Sequence, residues 1–289
     1  MQQNLQQVLG TVVAASSNLT SEAEHYRINN LLARNWGFNF YLAPRLIEYA
    51  KWLESSDERS NFTYPLKNLH HLKGWLAVVT GSKISDADRV VHEIFDDDWL
   101  VSELVQASLK HGCPLDANGF RAHRAALYGR RIGWYGIVRL KKPRLVIETG
   151  VDRGLGSAIL CRALMRNSDE GFIGEYLGTD INPRAGHLLS ESLAQFGRIA
   201  YGDSIDTLKA VESTIDIFIN DSDHSAQYEA DEYDVITDKL SDRSIVLGDN
   251  SHATDKLFQF AVRCGKQFLH FAEQPEGHWY PGAGIGAAF

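Results

Sequence analysis

The stretch from Arg144 to Leu164, RLVIETGVDRGLGSAILCRAL, constrains the fold more than any other part of the chain. Leu145, Val146 and Ile147, followed by the acidic Glu148, read as a short buried strand of a parallel sheet. A loop with glycines at 150, 154 and 156 follows, and Ser157 opens an apolar run, Ala158 to Leu164, with helical spacing. Strand, glycine loop and helix in that order let backbone approach a ligand closely while helix N–H groups point at it.

The spacing separates two ligand classes. A dinucleotide fingerprint, G-x-G-x-x-G, requires a third glycine where this chain has Ile159, which disfavours a nicotinamide dehydrogenase. The acid instead precedes the loop, as Glu148-x-Gly150, with three residues between Gly150 and Gly154. This arrangement resembles motif I of the class I methyltransferases that use S-adenosylmethionine. The resemblance implies that Glu148 lies near the amino-acid end of the cofactor. It also implies that Gly150, Gly154, Gly156 and Ser157 wrap it.

At 289 residues the chain is long enough for one large domain, or one domain with an extension, and 44% hydrophobic residues support a real core. A net charge of −8 argues against broad binding to phosphate backbones, so nucleic acid is not an expected partner. Three widely spaced cysteines, Cys113, Cys161 and Cys264, suit reduced thiols. The first residues, MQQNLQQVLGTVVAASS, lack a basic n-region and are too short in apolar length to span a bilayer. A cytoplasmic protein with no membrane partner is expected.

Residues 1 to about 115 carry helical signals and no defensible catalytic motif. Ser21 with Glu24 resembles a capping box, and helices are expected at Leu42–Leu53, Ser85–Phe95 and Trp99–Leu109. The acidic run Asp96–Asp98 reads as a solvated loop and helix start. This region is expected to form a helical cap or a homodimerisation element. The turn-rich CPLDANG, Cys113 to Gly119, marks a boundary to a domain spanning residues 116–289. Phe120 to Leu140 then reads as a basic, aromatic helix packing on the sheet edge, with Trp134 and Tyr135 alternatively lining a cofactor mouth.

From Arg144 onward strands and helices alternate. Strands are expected at Tyr176–Ile181, Arg198–Gly202, Ile215–Asn220, Ser244–Gly248 and Gln267–Ala272. Helices are expected at Pro183–Phe196, Ile205–Glu212, Tyr228–Leu240 and Lys256–Cys264. The glycine-rich tail Trp279–Phe289 forms a last strand or hairpin, or closes the acceptor pocket. The expected fold is α/β, a doubly wound, mostly parallel, Rossmann-like methyltransferase sheet with an N-terminal helical extension. In such sheets ligands sit at the C-terminal strand ends, where the acids of this chain collect.

Asp180 ends the second strand, and its carboxylate can accept both hydroxyls of a ribose. Asp203 and Ser204 end the third, where the family places adenine contacts; Ser204 serves equally as a helix N-cap. Asp221-Ser222-Asp223-His224 and Asp249-Asn250 end the fourth and fifth strands, and their oxygens are hard ligands suited to Mg²⁺ or Ca²⁺. The pattern resembles the metal-dependent O-methyltransferases of the catechol and macrocin types. That resemblance implies Asp221, Asp249 and Asn250 as ligands of Mg²⁺ or another divalent ion, and Asp223 as general base. Ser222 departs from the usual glycine between the two acids.

Three functions are open on these grounds. The first is a metal-assisted O-methyltransferase that uses S-adenosyl-L-methionine on a small hydroxylated metabolite. The second lacks the metal and uses Asp223 or His224 as base; the third is a non-catalytic binding protein that keeps the fold.

Overall fold

The structure, a computed structural model, describes residues 21–54, 64–111, 128–276, 278 and 280–289. Two compact units divide the chain, one of residues 1–56 with 277–279, the other of residues 57–276 with 280–289. In the first unit, helix α1 (Glu22–Gly37) runs through a π-helical turn (Phe38–Leu42) into α2 (Ala43–Glu54). The expected capping box is present: Glu24 N donates to Ser21 Oγ at 3.3 Å, and Ser21 N donates to the Glu24 carboxylate at 3.2 Å. Trp36 stacks with Phe40 and Tyr41, both ring pairs 5.3 Å apart.

The second unit holds three helices ahead of the sheet: α3 (Leu69–Thr80), α4 (Ile84–Phe95) and α5 (Asp98–Lys110). Helix α3 has no counterpart in the sequence reading. Its segment, LHHLKGWLAVVT, has a central glycine and an N-cap side chain that makes no capping bond, so both usual signals are weak. Leu72, Trp75 and Leu76 of α3 and Leu100 and Leu104 of α5 nevertheless pack in the same core as the sheet residues Val146 and Ile217. The two compact units meet in sequence near residue 56, and α3 to α5 belong with the sheet. The turn-rich segment near 115, with Cys113, lies outside the described residues.

Asp97 departs from the solvated loop expected for its acidic run. It is buried, caps α5 by accepting from Leu100 N at 3.0 Å, and pairs with Arg162 at 2.7 Å and Arg166 at 2.8 Å. Burial pushes its carboxyl up, but the two guanidinium hydrogen bonds outweigh this and hold it below the usual range.

Helix α6 (Arg131–Lys141) leads into β1 (Leu145–Thr149), α7 (Leu155–Asp169), β2 (Glu175–Asp180), β3 (Gly197–Tyr201) and α8 (Ser204–Ala210). Then come β4 (Ile215–Asn220), α9 (Ala226–Ile236), β5 (Leu240–Gly248), α10 (Lys256–Arg263), β6 (Phe268–Phe271) and β7 (Ile285–Ala288). The seven strands stand in the order β3-β2-β1-β4-β5-β7-β6. Strands β1 to β5 pair in parallel, and β7 inserts antiparallel between β5 and β6. Alternation along the strands builds two cores. Val146, Ile219 and Leu247 face one, with Trp134 and Leu160; Ile147, Phe218 and Val246 face the other, with Tyr233 and Phe260.

The expected helix Pro183–Phe196 is instead a series of turns closed by a short 3-10 turn, Ala194–Phe196. Gly186 has φ +82°, a left-handed conformation that breaks a helix, and its N donates to Asp152 O at 2.7 Å. The segment thus lies against the glycine loop. No described helix is long and apolar enough to cross a membrane.

Candidate active site

Strand order reverses between β1 and β4. A cleft of roughly 620 Å³ opens at these C-terminal strand ends, within the range of small-molecule sites. Arg131, Gly150, Asp180, Asp203, Asp221, Asp223, His224 and Asp249 are among the residues that line it.

Gly150 is required where it stands. Its φ is +82°, and a Cβ there would lie 1.9 Å from the carbonyl oxygen of Asp221. The loops after β1 and β4 therefore touch through backbone. Asp180 Oδ2 accepts from Asp152 N and Oδ1 from Asn182 N, both at 2.8 Å. Each oxygen retains a lone pair, so the carboxylate is held in place with acceptor capacity directed at the cleft it lines. Asp203 caps α8 by accepting from Ile205 N at 2.8 Å and also accepts from Tyr228 OH at 2.9 Å.

Other residues of the expected set lie behind the cleft. Glu148 is buried, with Oε2 accepting from Tyr176 OH at 2.5 Å and from Ser157 Oγ at 3.2 Å. Burial pushes its carboxyl up to about 7 against the pull of those donors. A Cβ at Gly156 would lie 2.1 Å from Glu148 Oε1, so that glycine makes room for the carboxyl group. Gly154, at φ +91°, caps α7 and packs on the backbone of Gly186. Glu148, Gly154, Gly156 and Ser157 thus shape the loop from beneath. Trp134 and Tyr135 are buried as well and do not line the cleft.

Ser204 is buried and donates to Glu232, a hub that sequence reasoning missed. Glu232 also accepts from Thr149 Oγ1 at 2.8 Å, Asn220 Nδ2 at 2.5 Å and Ser222 Oγ at 2.8 Å. One carboxylate therefore ties together the ends of β1 and β4 and the start of α8. The signal was present in α9: Glu229, Glu232, Tyr233 and Ile236 share one helical face, and all are buried.

The acids after β4 and β5 meet a cation of the chain's own. Arg130 Nε lies 2.5 Å from Asp249 Oδ1, and Arg130 Nη1 lies 3.7 Å from Glu273 Oε1. Burial opposes the guanidinium charge, but Asp249, Asp221 and Glu273 outweigh it and keep Arg130 protonated. Burial and the neighbouring Asp249 drive the Asp221 carboxyl well up. Asn250 Oδ1 lies 2.6 Å from His224 Nδ1. Among the described residues no three His, Cys, Asp or Glu side chains converge as a metal group. With a buried guanidinium 2.5 Å from Asp249, where an ion would have to sit, Asp221, Asp249 and Asn250 do not fit the divalent-ion site that the resemblance implies.

Asp223 is exposed and lines the cleft, with its Oδ1 accepting from Ser225 N at 2.7 Å. Hydrogen bonds from Ser225 hold its carboxyl below the usual range, which weakens it as a proton acceptor. Arg131 stacks over Trp134 at 5.4 Å, and its buried Nε has no hydrogen-bond partner.

Sheet order and strand-end cleft define an α/β protein with a Rossmann-like, mostly parallel sheet. A family model described as a methyltransferase domain matches residues 147–251, from within β1 to the turn after β5. Among solved structures, the chain is 17% identical to the SAH-bound methyltransferase PaMTH1 of Podospora anserina, covering 70% of this chain and 94% of that one at a TM-score of 0.45. The O-methyltransferase TomG of Streptomyces achromogenes, in complex with SAM, is 16% identical, covering 66% and 89% at a TM-score of 0.43. An O-methyltransferase of Bacillus cereus in complex with SAH is 15% identical, covering 66% and 90% at 0.42. No curated protein matches the chain.

Proposed function

We propose that the protein is an S-adenosylmethionine-dependent methyltransferase acting on a hydroxyl group of a small metabolite. The observation that carries this reading is the Asp180 carboxylate, held by two backbone N–H groups at the lip of a cleft whose floor is the Gly150 loop. Such a carboxylate suits a ribose diol. Asp203 is suited to an exocyclic amine at the adenine end. The unpartnered Arg131 Nε suits the amino-acid carboxylate, the one anionic group of this cofactor. The cofactor, when bound, supplies a methyl group on a sulfonium.

The protein's work is then to align the acceptor and take its proton. An amine acceptor is nucleophilic without a base; a hydroxyl is not, since a phenol has a pKa of about 10. His224 answers that need. Its Nδ1 is 2.6 Å from Asn250 Oδ1, which as an amide oxygen can only accept. Nδ1 therefore carries the hydrogen, and Nε2 is left as the proton acceptor. The acceptor oxygen forms its bond to the methyl carbon as the carbon–sulfur bond breaks, and the hydroxyl proton passes to His224. Asp223 lines the same cleft and serves as a second polar contact to the acceptor. No step in this reading requires a metal.

The test is methyl transfer to a panel of phenolic and sugar hydroxyls, read by mass increase. His224→Ala is expected to lower kcat at least about a hundredfold, in the range of general-base loss, with Asp223→Asn falling less. Equal loss in both, or loss in Asp223→Asn alone, would return the base to Asp223.

A further inference from the structure

The acceptor end of the cleft contains a buried electrostatic unit that the methyltransfer reading does not by itself call for. Side chains of Arg130, Asp249 and Glu273 are 7%, 7% and 0% exposed, and the guanidinium stands 2.5 Å from Asp249 and 3.7 Å from Glu273 as an ion pair, with its Nε making no aligned hydrogen bond. The pocket around it is assembled from distant parts of the chain. Tyr64 OH donates to Glu273 Oε1 at 2.6 Å, and Ala283 N donates to the same oxygen at 2.9 Å. Glu273 is thereby fixed from both sides and directed at Arg130.

We propose that the Arg130 guanidinium permanently fills the place among Asp249, Asp221 and Glu273 where a divalent ion would otherwise bind, making this a built-in cation site that excludes metal. Geometry supports this in two ways. An ion on Asp249 would stand in contact with a fixed positive charge in a buried setting, where repulsion is weakly screened. The amide oxygen that would complete the ion's shell already accepts from His224 Nδ1, which fixes its orientation and leaves it one lone pair. A guanidinium also differs chemically from an ion. It has five donors, no acceptor and no proton to lose, so it orients anionic groups without acting as a Lewis acid. Arg130 is therefore a positioning residue: it holds Asp249 beside Asp221 and leaves the acceptor's proton to the base. That this end receives the acceptor rests on the reading above, whereas the competition between guanidinium and metal is a property of the residues alone.

The experiment is Mn²⁺ binding to the full-length protein after exhaustive chelation, followed by electron paramagnetic resonance and by thermal melting. Wild type is expected to show no stoichiometric Mn²⁺ site at millimolar ion and no change in melting temperature. Arg130→Ala is expected to gain one site, with a melting temperature that rises with Mn²⁺ as mass action requires. Adding Asp249→Asn to that variant should remove the gain. Arg130→Lys, which keeps a cation, should remain indifferent to metal. If Arg130→Ala folds only when Mn²⁺ is present, the proposal is supported. If it does not fold at all, wild type and Arg130→Lys decide. A stoichiometric Mn²⁺ site in either of those that Asp249→Asn abolishes would overturn the proposal. So would an Arg130→Ala protein that folds and binds no ion. S-adenosylhomocysteine titrated into wild type in parallel keeps the two readings apart. Failure to bind it refutes the methyltransferase and leaves the metal result intact.

Discussion

Glu148 has the largest consequence for pH. Its carboxyl is buried beneath the glycine loop and raised from an ordinary value of 4.5 to about 7. In the unfolded chain it ionises earlier than in the fold. Its protonation therefore favours the folded state fully below pH 4.5, and that contribution is lost as pH rises through 7. The loss is on the order of 3 kcal/mol. Glu148→Gln, which keeps the shape and a donor for the buried pocket, is expected to flatten the fall of melting temperature between about pH 5 and 8. An unchanged slope would show that Glu148 ionises in the fold as freely as in the unfolded chain. The sequence placed this acid correctly at the end of β1. It could not show which side of the loop the carboxyl faces, because Tyr176 and Ser157, its partners, are brought to it only by folding. The same holds for Arg130. It is visible as one basic residue among several, and it becomes specific only once Asp249 and Glu273 arrive from the far end of the chain.

At the scale of elements, strands were more legible than the segments between them. Ile215–Asn220 forms β4 within its expected bounds because alternating apolar residues face two cores there. Apolar spacing misled at Pro183–Phe196, where Gly186 takes a left-handed turn to meet the β1 loop. The tail resolves in favour of a strand, β7, which joins β5 to β6. Two loops and the start of α8 depend on Glu232, so its removal should be felt in several places together. Glu232→Ala leaves four donors without their acceptor and is expected to cost at least about 3 kcal/mol of stability, measured by urea denaturation. A cost under about 1 kcal/mol would mean that water replaces it. Gly150→Ala offers a sharper contrast. Its Cβ would meet the Asp221 carbonyl, whereas Gly171, at a similar φ of +86°, has open space around it. Gly171→Ala should cost about 1 kcal/mol through backbone strain alone. Gly150→Ala should cost more and abolish cofactor binding, and equal costs would deny the loop contact.

For the whole molecule, the helices ahead of the sheet fall into two groups. Helices α3 to α5 bury Leu76, Ile94 and Leu100 in the core that also holds β1, while residues 1–56 belong to a separate compact unit. Deleting residues 1–56 should leave a folded protein with a cooperative melt. Deleting residues 1–110 should expose that core and give an insoluble product. A soluble, cooperative 111–289 fragment would show that the sheet does not need those helices. The strand-end cleft is, as proposed, a nucleoside cofactor site organised by Asp180. Calorimetric titration of S-adenosylhomocysteine into the full-length protein and its Asp180→Ala variant tests it directly. Saturable binding to wild type, weakened on the order of a hundredfold in the variant as two hydroxyl contacts to a carboxylate are lost, is the expected result. Equal affinity in the two proteins, or no binding by wild type, would contradict it.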